Sequence, residues 1–258
     1  MVILLIVLAL GIGLLIFMFS EAHRTYVEER TIHLSRFPEN QQPLRLFFIS
    51  DIHKRTVSSK LLEKIPGEVD FVIIGGDLLE GGVPLLRARQ NIQKLKTLKT
   101  LGPVYFVWGN NDYEVSQMQL KQMLKDEGVI ALKNEHVFAI SKYGTTCHFA
   151  GVDDLSEGQI NLKRAVSSIE PEQLTILLSH NPDVIYYVDE ESKVDLILSG
   201  HTHGGQIRLF NFGMYELGGL KEKRKIPLFV SNGYGTTSLP LRLQARAQTH
   251  YITLKRKE

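Results

Sequence analysis

The sequence predicts a layered α/β domain tethered by one N-terminal membrane-spanning helix. Three observations predict it. Val2 to Phe19 is uncharged and almost wholly apolar. From Leu44 onward, short apolar runs alternate with stretches of helical period, the pattern of β and α units stacked in layers. Five of those runs end in Asp, His or Asn, which in an open α/β sheet lie where ligands bind, beyond the carboxyl ends of the strands.

The apolar run comes first in the chain. At about 1.5 Å per residue it nearly crosses a hydrocarbon core of roughly 30 Å, and it lacks the polar face of a surface helix. A cleaved signal peptide is the competing reading: Ser20-Glu21-Ala22 loosely fits a small-x-small cleavage site, but no Lys or Arg precedes the run. Arg24 and Arg30 follow the span, so the positive-inside rule makes this a single-pass protein of the cell membrane with its catalytic part cytoplasmic. The expected organisation is an anchor at 1–20, a linker at 21–43 and a catalytic domain at 44–258. The linker is polar, ends in Pro38-Glu39-Asn40-Gln41-Gln42-Pro43, and has room for an initial strand at Arg30 to Leu34.

Leu44 to Ile49, Val69 to Ile74 and Val104 to Trp108 then read as buried strands. Val57 to Ile65, Pro84 to Leu98 and Val115 to Leu124 read as helices, the last closed by Gly128. Val129 to Ala131, His136 to Ile140 and Thr145 to Gly151 follow as consecutive short strands. Asn161 to Ile169 and Pro182 to Val188 read as helices, and Leu174 to Leu178 and Val194 to Leu198 as buried strands. Leu228 to Ser231 and His250 to Leu254 close the sheet.

Composition narrows the function. A net charge of +2 with scattered Lys and Arg lacks the basic stripe of a nucleic-acid binder, so no nucleic-acid partner is indicated. A single cysteine, Cys147, excludes an internal disulfide and a paired-Cys zinc site; its strand-like surroundings make it a buried structural thiol. His-Glu-x-x-His is absent, which excludes zinc proteases of that type.

The polar residues at the strand ends carry the chemistry. Asp51 and His53 follow the first strand, and Asp77 follows the second and Gly75-Gly76. Asn110, Asn111 and Asp112 follow the third. His180 follows Leu174 to Ser179, and His201 and His203 sit in Ser199-Gly200-His201-Thr202-His203-Gly204-Gly205-Gln206. Singly, each has a plain reading as a solvated loop residue, a buried histidine or a turn. Together Asp51, His53, Asp77, Asn110, His180, His201 and His203 are of the kind that can hold two divalent cations, about 3.5 to 4 Å apart, which bind both oxygens of a phosphate ester and lower the pKa of a bridging water. Asp77 is the natural bridge, because the glycines before it allow close backbone approach. A mixed nitrogen and oxygen shell takes Mn, Zn or Fe, with Mn favoured.

The ordered series Asp51-Ile52-His53, Gly76-Asp77, Gly109-Asn110-Asn111-Asp112, Ser179-His180 and Gly200-His201-Thr202-His203 resembles the calcineurin-like metallophosphoesterase superfamily, over roughly Leu44 to Leu254. His201 to Gln206, with Ser231-Asn232-Gly233-Tyr234-Gly235-Thr236 downstream, looks most like its bacterial membrane-associated subgroup. The resemblance implies a four-layered α/β/β/α sandwich. It implies that Asp51, His53, Asp77 and His203 hold one ion and Asp77, Asn110, His180 and His201 the other. It further implies in-line attack of a metal-bridged hydroxide on a phosphodiester, phosphomonoester or phosphoanhydride. Some relatives act on lipid or nucleotide-sugar phosphoesters.

One position departs from the family. Its usual pattern follows the liganding Asn with a histidine that serves the leaving oxygen; here Asn111 stands there, and Asp112 loses that partner. An amide donates a hydrogen bond but delivers no proton near neutral pH. Asn111 and Asp112 are the candidate catalytic residues, and Asn111 shifts the expected substrate toward leaving groups that need little protonation. It also keeps a second reading open, a catalytically weakened metal-binding scaffold. Lys54 and Arg55, just after His53, are either phosphate-facing cations or solvated loop residues, and Asp153 and Asp154 read as turn or cap residues.

Overall fold

The computed structural model describes residues 1–98, 102–189, 192–210 and 212–257. A long helix, α1 (Val2–His23), leads into two six-stranded sheets. The first comprises β1 (Val27–Leu34), β2 (Leu44–Ile49), β3 (Phe71–Ile74), β4 (Val104–Val107), β5 (Val129–Leu132) and β12 (Thr249–Arg256), in the spatial order β1-β12-β2-β3-β4-β5. The second comprises β6 (Glu135–Ile140), β7 (Thr146–Gly151), β8 (Thr175–Leu178), β9 (Leu196–Ser199), β10 (Gly219–Lys223) and β11 (Ile226–Val230), ordered β10-β11-β9-β8-β7-β6. The central pairs β2–β3, β3–β4, β7–β8 and β8–β9 are parallel.

The period of two along β2 feeds two cores at once. Leu46 and Phe48 face the second sheet and pack in one cluster with Phe149, Ile176, Leu198 and Phe229. Phe47 and Ile49 face the other way, in a cluster with Ile92 of α3 (Leu85–Leu95) and Leu120 and Leu124 of α4 (Gln117–Asp126). The outer face of the second sheet is covered by α5 (Leu162–Ala165) and a tight turn at Pro182–Tyr186, through Ala165, Val184 and Ile185. Helix, sheet, sheet, helix is the implied four-layered sandwich. Trp108 and Cys147 are buried core residues, as read from sequence.

Three local readings change. Part of the expected linker is structural: β1 runs parallel to β12 from Val27↔Thr249 to Leu34↔Arg256, because Ile32 and Leu34 alternate into the core. Two expected helices shrink to single turns, α2 (Ser59–Leu62) and α5, each started by a side-chain cap from Ser58 or Asn161. At Pro182 the chain tightens to a 3₁₀ turn capped by Asn181. β10, a Lys-rich strand at the sheet edge, has no alternating apolar signal to find.

Candidate metal centre

The loops after β2, β3, β4, β8 and β9 bring the expected donors to one place. Asp51, His53 and His203 place one donor atom each within 4.8 Å of one another, and so do Asp51, Asp77 and His180. All five side chains are buried. His53 Nε2 lies 3.1 Å from His203 Nε2 and 3.6 Å from Asp77, while His203 Nε2 lies 3.4 Å from Asp51. On the other side, His180 Nε2 lies 3.2 Å from Asp77 and 3.3 Å from His201 Nδ1, which faces Asn110 Oδ1 at 3.0 Å. Asp51 as well as Asp77 therefore lies between the two halves.

The local backbone is bent to achieve this. Asp51, His53, Asp77, His201 and His203 all adopt positive φ, between 50° and 71°. Such conformations cost about 1–3 kcal/mol each in a residue with a Cβ and collect at functional sites. Gly76, at φ 86°, passes so close to His180 that a Cβ there would sit 2.5 Å from its ring nitrogen. At Gly109 a Cβ would meet Asp77 Oδ1 at 2.3 Å. The glycines beside the ligand motifs are thus spacing devices.

Neighbouring groups aim the donors. His180 Nδ1 bonds the Gly75 carbonyl at 2.9 Å, leaving Nε2 to face the centre. The Glu80 carboxylate lies 3.0 Å from His53 Nδ1, and Arg242 Nη2 lies 3.1 Å from His203 Nδ1. Asn110 donates through Nδ2 to Asn111 Oδ1 at 2.8 Å, which turns its own oxygen toward His201. Nitrogens facing one another at 3.1 and 3.3 Å, with carboxylates between, fit a pair of shared cations; for neutral rings they are otherwise unfavourable.

Asp112 stands differently from its expected role. It is expected among the catalytic residues, without the histidine the family sets beside it, but its carboxylate turns inward and accepts the backbone N–H groups of Asp77, Leu78, Leu79 and Gly109, at 2.8 to 3.3 Å. It is a clamp joining the β3 and β4 loops, with no exposed surface. Asn111 lines the cleft as expected. Lys54 pairs with Glu80 at 2.7 Å, and Arg55 points away from the centre, to the carbonyls of Ala22, His23 and Arg24. Asp153 and Asp154 hold turn amides, as read from sequence.

The electrostatics split the ring nitrogens. Burial opposes charge on His180, but Asp77 overrides it and lifts the imidazole to about 10. Burial drops His203 to about 3, with His53 and Arg242 adding to the fall. Burial works against ionised Asp77, yet His180 and His53 hold it at about 2; burial and the charge on Asp77 push Asp112 up to about 7. A cation in this centre would displace the proton that His180 otherwise keeps.

Two residues of this centre escape a sequence reading. Glu80 is three residues beyond Asp77, a spacing that hints at a shared loop and nothing more. Arg242 gives no hint at all. It is fully buried, with no acid paired to it among the described residues, and its guanidinium is filled by the carbonyls of His203, Asn232, Gly235 and Ala245. A cleft of about 600 Å³ opens over the donors, walled by Asn110, Asn111, His201, Gln206, Met214 and Leu239.

Comparison with known proteins agrees with this architecture. Residues 44–205 match the calcineurin-like phosphoesterase family model. The chain is 46% identical over 238 residues to YpbG of Bacillus subtilis, covering 92% of this chain and 90% of that protein. It is 28% identical to the metallophosphoesterase YkoQ of the same organism, covering 82% and 83%. A zebrafish transmembrane protein with a metallophosphoesterase domain is 30% identical, covering 87% of this chain and 56% of that protein. Among solved structures, a 5'-nucleotidase precursor from Thermus thermophilus superposes with a TM-score of 0.53 at 12% identity, a likeness of fold. It covers 82% of this chain, which spans only 55% of that one. With the family model spanning most of the chain and each ligand motif at its strand end, this protein belongs to the calcineurin-like phosphoesterase family.

Proposed function

We propose that this chain is a membrane-anchored dimetal phosphoesterase, with α1 as the anchor, the sandwich as the catalytic part, and that part on the cytoplasmic side. The convergence of two buried donor groups around Asp51 and Asp77 is the observation that carries it. Asp51, His53, Asp77 and His203 would hold one cation, and Asp77, Asn110, His180 and His201 the other. The carboxylate and amide oxygens favour manganese among Mn, Zn and Fe. Two cations there supply Lewis acidity toward a phosphoryl oxygen and a nucleophilic water at neutral pH.

The protein's own groups do the positioning. Glu80 and the Gly75 carbonyl fix the rings of His53 and His180, and Asp112 ties the Asp77 and Asn110 loops together. Asn111 orients Asn110 and offers the cleft a neutral donor where a proton-delivering imidazole would otherwise stand. The expected substrate is therefore a phosphodiester, phosphomonoester or phosphoanhydride whose leaving group departs as a stable anion. Lipid-linked and nucleotide-sugar phosphoesters are the natural classes for an anchored enzyme.

Metal analysis of the full chain, paired with hydrolysis of an aryl monoester, an aryl diester and a phosphoanhydride in Mn²⁺, tests this. Two cations per chain and a turnover that vanishes in Asp77→Ala support it. Retained cations with none of the three cleaved would favour the scaffold reading that Asn111 keeps open.

A further inference from the structure

The mouth of the cleft is apolar in a way the chemistry of the centre does not require. Ile207, Met214 and Leu239 line the cleft, Met214 being 83% and Leu239 57% exposed, and the stretch that joins Ile207 to Met214 adds Leu209 (64%), Phe210 (76%) and Phe212 (81%) beside it. Leu209 and Phe212 bond to each other's backbone, which makes Phe210 the tip of a tight turn. Single exposed apolar side chains are ordinary; a run of them around one opening marks a contact surface.

The same opening is joined directly to α1. Arg242 N donates to the Met18 carbonyl at 3.0 Å, and Met18, Glu21 and Ala22 are the buried residues of this helix. Gln206 spans the mouth, bonding the Thr237 and Leu239 carbonyls at 3.0 Å each. Arg208 N bonds the carbonyl of Leu243, the residue next to Arg242, so the apolar loop springs from the point where the helix docks. Arg55 caps the helix end through the carbonyls of His23 and Arg24, at 2.6 and 2.7 Å, and stacks 3.9 Å over the Tyr234 ring. The helix is thereby fixed to the domain rather than hung from a loose tether.

This contact sets a depth. The uncharged run ends at Phe19, and at about 1.5 Å per residue nearly all of it is needed to cross roughly 30 Å of hydrocarbon. On the anchored reading Met18 sits near the lipid boundary, with Arg242 bonded to it and Leu243, the next residue, bonded to Arg208 at the base of the apolar loop. A second, independent observation agrees. Around the helix end, Arg24, Lys64 and Arg246 line a basic hollow with His23 and Tyr26, where anionic headgroups would meet them.

Building on the anchored-phosphoesterase reading, we infer that the loop carrying Leu209, Phe210, Phe212 and Met214 is a bilayer-contacting rim. It seats Phe210 and Phe212 in the interfacial layer and presents the cleft to a phosphoester whose alkyl portion stays in the membrane. Leu239 and Met214 face that alkyl portion while the phosphate reaches the donors behind them. Aromatic side chains suit this depth because their rings tolerate the headgroup boundary.

The test uses the full chain in anionic nanodiscs. Trp108 is the single native tryptophan and is buried, so Phe210→Trp adds a readable probe. Lipids with a quencher high on the acyl chain should dim the Phe210→Trp signal severalfold more than that of the wild type; equal quenching overturns the rim. Separately, Phe210→Ser with Phe212→Ser should lower hydrolysis of a nanodisc-embedded long-chain phosphodiester about tenfold. Hydrolysis of a soluble aryl diester should stay unchanged. Equal loss on both, or no loss on the embedded substrate, overturns the proposal while leaving the phosphoesterase standing. If the wild type cleaves neither diester, the diester reading of its substrate fails, and the quenching result alone decides whether the loop meets the bilayer.

Discussion

Two regions of this molecule bring a buried histidine against carboxylates, and they are built in opposite ways. At the edge of the first sheet, Glu28 of β1 and His250 of β12 are register partners on regular strands, their side chains 3.3 Å apart. His250 also bonds the Ser231 hydroxyl at 2.9 Å, so the pair is complete within the protein. In the candidate metal centre, by contrast, Asp51, His53, Asp77, His201 and His203 sit on left-handed backbone, and ring nitrogens face one another at 3.1 and 3.3 Å. A histidine beside an acid is therefore no evidence of a metal by itself. Convergence of several donors on strained backbone is, because strain of this kind collects at functional sites, where the surrounding fold holds it.

The comparison breaks if both regions matter equally to turnover. Asp77→Ala should lower phosphoester hydrolysis about 10³-fold or more, since the several kcal/mol that cations contribute to the transition state depend on it. Glu28→Gln should leave the rate within about twofold under the same assay. A comparable loss in both variants would mean that the centre is not where the chemistry happens.

Next in size is the cleft wall. Asn111→His replaces an amide with a group able to deliver a proton, and a general acid contributes about 10²–10⁴-fold where the leaving group is poor. Turnover of an alkyl phosphodiester should rise by about 10², while that of an aryl diester barely moves. A rise shared by both substrates would assign Asn111 to binding instead. Smaller again is Glu80→Gln, which weakens the grip on His53 from behind. Loss of such a partner typically costs about 10- to 100-fold in metal affinity. A calorimetric titration of the full chain should show one of its two binding phases weakened and the other retained, since His180 is aimed by Gly75 instead.

How much of this was legible follows from where the information resides. The ligand motifs were readable because each lies just past an apolar run, and apolar runs are written locally in the chain. Strands β2 to β4, β8 and β9 lie where Leu46, Ile73, Phe106, Leu177 and Ile197 anticipate them. Arg242 was not readable: its partners are carbonyls from His203 to Ala245, and carbonyls carry no residue signature. β1 is legible only in its second half, from Arg30 to Leu34, because the rest of it is fixed by pairing with β12 at the far end of the chain. Asp112 was placed near the chemistry by its neighbours in sequence, yet its orientation depends on four amides of two loops, which only the fold brings together.

The smallest expected effect concerns the self-contained pair. Glu28 is half-buried and faces His250 and Arg30; its bond to His250 holds it at about 2 against an ordinary value of 4.5, although burial pulls the other way. Burial lowers His250, although its bond to Glu28 pulls the other way. A carboxylate depressed on folding stabilises fully above its unfolded value and loses that contribution as pH falls from 4.5 toward 2. Half-exposure screens the pair, leaving about 1 kcal/mol. His250 acts in the same direction at higher pH, since acid below its ordinary 6.5 must charge a buried ring. Chemical unfolding followed from about pH 7 to pH 2 in wild type and Glu28→Gln separates these contributions. The metal centre's own acid response is common to both proteins and cancels in the difference. The two curves should converge only below pH 4.5, because in that range alone does wild type lose what the variant never had. Parallel curves throughout would show that Glu28 gains nothing from His250, and the contrast between a paired histidine on regular strands and the strained loops of the candidate centre would lose one of its sides.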